Sequence, residues 1–511
     1  MKEPSQRRPI RWWPAVVILV IEIGILAWIW LRTADSTQQR VVPTFPTLFF
    51  GTVALFLWLV LFSRFPGRAR LSIFVSVMGV VGLGSLLFEI KGVDGNLVPV
   101  VGYRWSGERS FEASVQAVAE VTAAGPNDYP QFYGPGRNAT LPGPRLARDW
   151  EAEPPREIWR RQVGEGWSSF AVVGEAAVTQ EQRGDEELVV RYELETGNQV
   201  WLHSDSSPFN TTVGGSGPRT TPTIVGDRVY SLGASGTLNC LNLEDGQRIW
   251  SRNVLEDNEV GRPDWGMASS PLVVGEVVIV QLGNRGTSLV AYDRHSGDPV
   301  WVAGNDRGTY TSPTLARVTG REQVLIVNHN TVVGHDPATG DILWRANWSN
   351  PGTERVSMPL VLSGDRLLVS AGYGVGSKLF RVVSQGDSVV IEDLWESPRL
   401  KSKFAPMVTD QGVVYGLDDG VLVALDPETG ERLWKRGRYG HGQLILVADL
   451  LLIQAENGDV VLVEATAEEH RELARLSALK SKTWNPPALS GRLLLVRNNR
   501  EAACYELPVE N

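Results

Sequence analysis

Cysteine is almost missing from this chain: 511 residues contain only Cys240 and Cys504. The two stand far apart, so there is no Cys-x-x-Cys metal or redox pair and no Cys-x-x-Cys-His haem attachment site. Both are expected as buried thiols in strands. Basic charge is in deficit as well. The 49 Lys and Arg face 58 Asp and Glu, giving a net charge of −9, and no Lys/Arg-rich run interrupts it. This argues against a groove for nucleic acid. Glycine (52) and tryptophan (18) are abundant instead. Many turns with regularly placed indoles indicate a repetitive all-β region, and the length implies more than one region.

Charge is also missing from three N-terminal stretches. Residues 12–31 are apolar except for Glu22, and residues 41–63 and 71–88 carry no acidic or basic side chain. Each is about long enough to cross a ~30 Å hydrocarbon core. A core helix of a soluble domain is rarely apolar on every face. A cleaved signal peptide fits the first stretch poorly, because no small-residue cleavage site follows and two more stretches do. Arg7-Arg8 matches a twin-arginine signal only weakly. The expected organisation is a cytoplasmic tail (1–11), three transmembrane helices (12–92), a linker or strap (93–155) and a repeat domain (156–511).

Orientation follows from the basic residues. The tail carries Lys2, Arg7, Arg8 and Arg11, and the second loop carries Arg64, Arg68 and Arg70. The first loop has only Arg32 and Arg40, offset by Asp35. The positive-inside rule puts the N-terminus in the cytoplasm. Three crossings then put the repeat domain on the far side, the periplasm of a Gram-negative-type bacterium, with the anchor in its inner membrane. Glu22 has two readings: part of an ion or proton path, or a neutral group facing the other helices. Gly79, Gly82 and Gly84 are expected to allow close helix packing.

The repeats begin at Trp159. The clearest unit ends in Gly-x-x-x-Trp, at Gly197/Trp201, Gly246/Trp250, Gly297/Trp301, Gly340/Trp344 and Gly430/Trp434. Trp395 is a degenerate member. Acidic or turn-forming residues precede the glycine, as in Asp336-Pro337-Ala338-Thr339 and Asp426-Pro427-Glu428-Thr429. A strand therefore ends in a tight turn where Gly supplies a positive φ. The tryptophans recur every 40–50 residues or so, a period that marks a propeller. A second register of strand, turn and strand, as in Pro222 to Tyr230 and Pro271 to Ile279, brings the count to about eight four-stranded blades. The strand around Trp159 and the one near Glu501 to Leu507 are expected to share one blade and close the ring.

The Asp-x-x-Thr-Gly-x-x-x-Trp units of residues 336–344 and 426–434 resemble the tryptophan-docking repeats of the PQQ-like (pyrrolo-quinoline quinone repeat) β-propeller superfamily. The resemblance covers roughly residues 155–508, and Tyr129 to Arg137 resembles a lead-in to such propellers. It implies an all-β, eight-bladed propeller, here as a membrane-anchored bacterial member. The superfamily includes quinoprotein alcohol dehydrogenases and a propeller lipoprotein of outer-membrane assembly. The dehydrogenases use PQQ with calcium, held by a carboxylate–amide–carboxylate set, and often carry adjacent disulfide-bonded cysteines. Neither that ligand set nor the cysteine pair is found in this sequence, and no metal ligands are assigned.

The repeat register suggests a ring of residues at one channel rim, three before the start of each inner strand. They are Trp167, Arg219, Ala268, Tyr310, Val356, Lys403, His441 and Trp484. The candidate ligand-binding set is Trp167, Arg219, Tyr310, Lys403, His441 and Trp484. Aromatic plates with cations suit a flat or extended anion: PQQ, an acidic peptide or a polyanionic glycan. The alternative is a plug of the channel mouth that hydrogen-bonds free strand ends. Rim loops add Arg183, Asn328, His329, Tyr373, Asn498 and Arg500. His441 sits in a mobile-looking Gly-His-Gly turn without a Ser or Cys nucleophile at readable spacing, so no hydrolase and no catalytic residue is assigned.

Two functions follow as expectations. One is a non-catalytic binding or scaffold module for a peptide, a glycan or a periplasmic protein. The other is a PQQ-dependent dehydrogenase of alcohols or sugars. A sensor would need an output domain on the cytoplasmic side, and none is visible in the sequence.

Overall fold

The computed structural model describes residues 11–31, 37–105, 125–284, 287–349, 354–386 and 388–510. The chain divides into two compact units, residues 1–108 and 109–511.

The first unit contains α1 (Trp13–Leu31), α2 (Thr37–Leu57, continued by a π-helical turn, Trp58–Phe62) and α3 (Gly67–Leu87). All three are long and apolar enough to cross a membrane. Side chains such as Ile21, Phe50 and Val80 point outward, as a lipid solvent requires. The Glu22 carboxylate lies where a Cβ on Gly51 would be, so α1 meets α2 at that glycine. Trp30 Nε1 donates to Thr44 Oγ1 at 3.1 Å across the same pair. Gly79, Gly82 and Gly84 do not pack as expected: an added Cβ at any of them meets nothing within 4 Å. The helix of the third apolar stretch ends at Leu87. Phe88–Val93 and Pro99–Tyr103 form a hairpin, because the Asp94 carboxylate accepts the N–H groups of Asn96 and Val98, both at 2.9 Å, and fixes a turn. The linker stretch from Phe111 to Ala123, whose composition suits one short helix, lies outside the described residues.

The second unit is a propeller. Among the described residues it holds eight antiparallel sheets of four strands, one extended to five by the parallel strand Thr140–Leu141. Blades 1 to 7 run in chain order from Ala171–Val173 to Glu472–Ser477. The first strand of each blade is innermost, and these strands meet around the axis. Blade 8 takes Ala488–Ser490, Leu493–Arg497 and Glu501–Glu506 from the C-terminal end, and its outer strand is Arg156–Gln162. The ring closes as the sequence indicates. Arg497 seals the seam: it is fully buried and donates to Thr179 Oγ1 (2.6 Å), Gln180 O (2.7 Å) and Gly164 O (3.1 Å) of blade 1 and its approach.

The Gly-x-x-x-Trp repeat works between blades. The Trp201 indole donates to Leu243 O of blade 2 at 3.0 Å, Trp250 to Arg294 O of blade 3 at 3.1 Å and Trp395 to Pro427 O of blade 6 at 2.8 Å. Each ring lies against the turn glycine of the receiving blade. A Cβ on Gly246 would sit 2.6 Å from Trp201 Cδ2, and one on Gly430 2.8 Å from Trp395 Cδ2. The same glycines hold φ of +73° and +69°. The acidic residue of the motif builds the turn: Asp336 Oδ1 accepts Ala338 N–H at 2.8 Å and Thr339 N–H at 3.2 Å. His335 Nδ1 bonds Gly340 O at 2.8 Å and so caps this turn. Trp434 docks without a glycine, donating to Thr466 O of blade 7 at 2.9 Å, and Trp344 departs further. Blade 5 has no such turn, only the long hairpin Gly376–Gln385/Ser388–Ser397, so Trp344 donates to Gln323 Oε1 of its own blade at 2.6 Å. Cys240 and Cys504 are buried free thiols.

Residues 129–141 fill the channel from the end opposite the rim. Tyr129 pairs with Val172 and Thr140-Leu141 with Leu446-Val447. Between them Arg137, only 2% exposed, donates to Ser270 O (2.8 Å), Pro271 O (3.0 Å) and Pro313 O (3.0 Å). Burial pulls its guanidinium pKa down to about 9.

Two glycines of positive φ separate the contributions to docking. Gly226 (φ +60°) has open space where its Cβ would be, whereas Gly246 has the Trp201 ring. Gly226→Ala should cost about 1 kcal/mol of backbone strain. Gly246→Ala should cost about 2–4 kcal/mol, because the indole must also move. Chemical unfolding of the two variants measures the difference.

Candidate functional site

The rim is built where the outer strand of one blade crosses to the inner strand of the next. The crossings after blades 1 and 2 are the longest, and the one after blade 1 carries a small hairpin, Asn210–Thr211 with Gly215–Ser216. Because blades 8 and 1 are neighbours, Trp484 and Trp167 come together, with ring centroids 4.9 Å apart. Phe404 packs 5.2 Å from Trp484 and 6.0 Å from His441. The Lys403 ammonium lies 4.4 Å from the centre of Tyr373 and 5.7 Å from that of Phe404. Tyr373 continues to Trp265 at 6.5 Å, and Trp265 stacks on Tyr310 at 5.0 Å.

Arg219 stands on the other side of the hairpin. Its guanidinium lies over Phe209 at 4.3 Å and donates to Gly217 O and, at 2.8 Å, to Gly215 O. Burial lowers its pKa to about 9 against the opposing pull of Glu187. The hairpin tip joins the two sides: Trp167 Nε1 donates to Gly214 O at 2.7 Å, and a Cβ on Gly214 would meet Arg219 Nη2 and Trp265 Cβ. The six expected residues therefore belong to one chain of contacts around the mouth.

Several of them are also tied down. Lys403 and His441 are buried, and the His441 backbone N–H donates to Glu456 Oε2 at 2.9 Å. Trp484 Nε1 donates to Glu456 Oε1 at 2.8 Å. The turn around His441 is packed rather than open, since a Cβ on Gly442 would clash with Gln454 O. Ala268 and Val356 are half-buried. Of the loop residues, Tyr373 joins the cluster, while Arg183 turns into blade 1 and donates to Glu181 Oε1 at 2.6 Å.

Sequence reasoning missed Phe209, Trp265, Phe404 and Lys482. Lys482 lies 4.0 Å from the centre of the Trp484 ring and 4.8 Å from that of Trp167. Phe404 follows Lys403 directly and Lys482 stands two before Trp484, so widening the register by two positions finds both.

The resemblance implies PQQ with calcium, and the residues present do not fit that pair. Among the described residues no group of three or more His, Cys, Asp or Glu side chains could hold a metal ion. The nearby carboxylate of Glu456 is taken up by Trp484 and His441. The channel below the rim is occupied by Tyr133 and Arg137.

Comparison with known proteins agrees with the propeller fold. A family model described as outer membrane protein assembly factor BamB matches residues 137–268 and 262–436. The chain is 26% identical over 357 residues to that factor from Burkholderia pseudomallei, covering 67% of this chain and 85% of the relative. It is 21% identical over 327 residues to the factor from Bordetella pertussis, covering 55% and 81%. Among solved structures, BamB from Moraxella catarrhalis superposes with a TM-score of 0.50 at 17% identity, covering 70% of this chain and 99% of that one. A europium-containing methanol dehydrogenase superposes with a TM-score of 0.56 at 13% identity, covering 73% and 90%. At such identities the two structures speak for the fold alone.

Glu187 beneath the rim generates a pH dependence. It is 5% exposed, and burial raises its pKa from 4.5 to about 7. Asp205 pushes the same way, while the Ala234 N–H, Arg219 and Arg262 oppose. Below about pH 4.5 the carboxyl is protonated in both folded and unfolded chains. As pH rises toward 7 only the unfolded chain releases the proton, so stability falls by up to about 3 kcal/mol and then levels off. Glu187→Gln should remove that fall, and melting curves between pH 5 and 8 should be flatter than those of the native protein.

Proposed function

Because the chain belongs to the family of outer membrane protein assembly factor BamB, we propose that it is a membrane-held binding platform whose propeller rim receives a partner polypeptide outside the cytoplasm. The observation that carries this reading is the rim cluster. Trp484, Phe404 and Trp265 are half-buried aromatic rings with Lys482 stacked on one of them. Aromatic anchors flanked by cations are the usual high-energy contacts of protein interfaces. The name of the relatives makes a component or client of outer membrane protein assembly the first candidate partner. The six residues named from the sequence take part as anchors (Trp167, Tyr310, Trp484) or as cationic and polar supports (Arg219, Lys403, His441). Arg64 lies between α2 and α3, and Arg68 and Arg70 stand in the first turn of α3. They support a cytoplasmic N-terminus and second loop, an inner-membrane anchor and a periplasmic propeller.

Both thiols of the native chain are buried, so an introduced surface cysteine reports its own contacts. In membranes, a cysteine-reactive cross-linker at Lys482→Cys should trap a discrete protein adduct. A cysteine placed at Glu428, in a docking turn at the opposite end, should not. Trapping only at Glu428→Cys would overturn the assignment of the rim. Topology is tested separately: alkaline phosphatase fused after residue 510 should be active and its fusion within residues 64–67 inactive, and the reverse pattern would invert the orientation.

A further inference from the structure

Next to the aromatic cluster is a cavity of about 380 Å³ that no part of the proposed docking uses, apart from its wall at Tyr310. Its size is that of a small-molecule site. Three crossings build it: residues 261–264 between blades 2 and 3, residues 307–310 between blades 3 and 4, and Glu354 between blades 4 and 5. Four charged side chains line it, Arg262, Asp264, Arg307 and Glu354. Arg307 Nη2 is 3.2 Å from Glu354 Oε1, and the Arg262 guanidinium is 5.0 Å from the centre of the Phe209 ring.

The cavity is built in advance. The Asp306 carboxylate accepts from Arg307 N–H (2.7 Å), Asn330 N–H (3.0 Å), Asn330 Nδ2 (3.1 Å) and Thr331 Oγ1 (2.9 Å). His329 N–H donates to Arg307 O at 2.8 Å. The loops touch at two glycines, since a Cβ on Gly308 would lie 2.6 Å from Gly283 Cα. Arg307 and Asp264 are exposed at the edge of this fixed frame. A braced frame lowers the ordering cost of binding.

We propose that this cavity binds a neutral saccharide unit. Two guanidinium groups and two carboxylates balance in charge, so an anion gains no net attraction. Guanidinium only donates hydrogen bonds and carboxylate only accepts them. A hydroxyl does both, and two adjacent hydroxyls match the paired atoms of either planar group. A ring of hydroxyls is thus the ligand that satisfies all four side chains together. Tyr310, stacked on Trp265, supplies an apolar wall for the C–H face of such a ring.

The full chain in detergent, titrated with cellobiose, N-acetylglucosamine and its β-1,4-linked dimer, tests this by calorimetry or ligand-observed NMR. Citrate serves as the anionic comparison. Saturable binding of at least one saccharide is expected, weakened about tenfold or more in Asp264→Asn and in Arg307→Gln. Both side chains are exposed, so the melting temperature should stay within about a degree or two of the native value. No saccharide binding at millimolar concentration, binding of citrate alone, or saccharide binding unchanged in both variants would each overturn the proposal.

Discussion

The fold depends on one contact repeated around the ring: an indole from one blade set against a backbone without a Cβ in the next. The glycine serves twice. It permits a positive φ and leaves the space that the ring fills. The indole N–H then satisfies a turn carbonyl that the sheet leaves unpaired. Apolar burial, a hydrogen bond and backbone geometry are thus met at a single point. Where blade 5 lacks the turn, Trp344 keeps its hydrogen bond inside blade 4, and the lengthened hairpin packs against it instead, with Phe380 6.0 Å away.

This contact is local in sequence, so the propeller was legible. Glycine and tryptophan stand four residues apart in one turn and strand, and the period repeats. The three apolar helices were legible for a related reason, since lipid imposes a composition that spacing cannot hide. Ring closure was legible too, because an unpaired strand at each end of the repeats needs a partner. Arg137 was not legible. Its three shortest hydrogen bonds go to backbone carbonyls 133 to 176 residues away, and a carbonyl has no sequence signature. The close helix contact falls at Gly51 rather than at the glycines of α3, because composition alone does not say which helices touch.

At the rim the result was mixed, for a reason that lies in the loops. Positions counted from the inner strands were placed correctly, so Trp167 and Trp484 met as neighbours across the seam. Side chains on the crossings between blades were missed, because those crossings differ in length and have no register. Phe209 and Trp265 belong to that group. The two ends of the propeller differ accordingly: uniform turns at one end hold the ring together, and variable crossings at the other present the aromatic and charged side chains.

Arg156–Gln162 and Glu501–Glu506 are partners in one blade, yet they leave the ribosome more than three hundred residues apart. The early strand is made first and has nothing to pair with until the last strands of the domain emerge. During that interval it is an open edge, the kind of surface on which chains aggregate or chaperones act. A nascent chain cut short before residue 501 would therefore lack more than a terminal segment. It would leave a ring with a gap, exposed to proteases on both sides of the break, so completion of the protein is checked by the architecture itself.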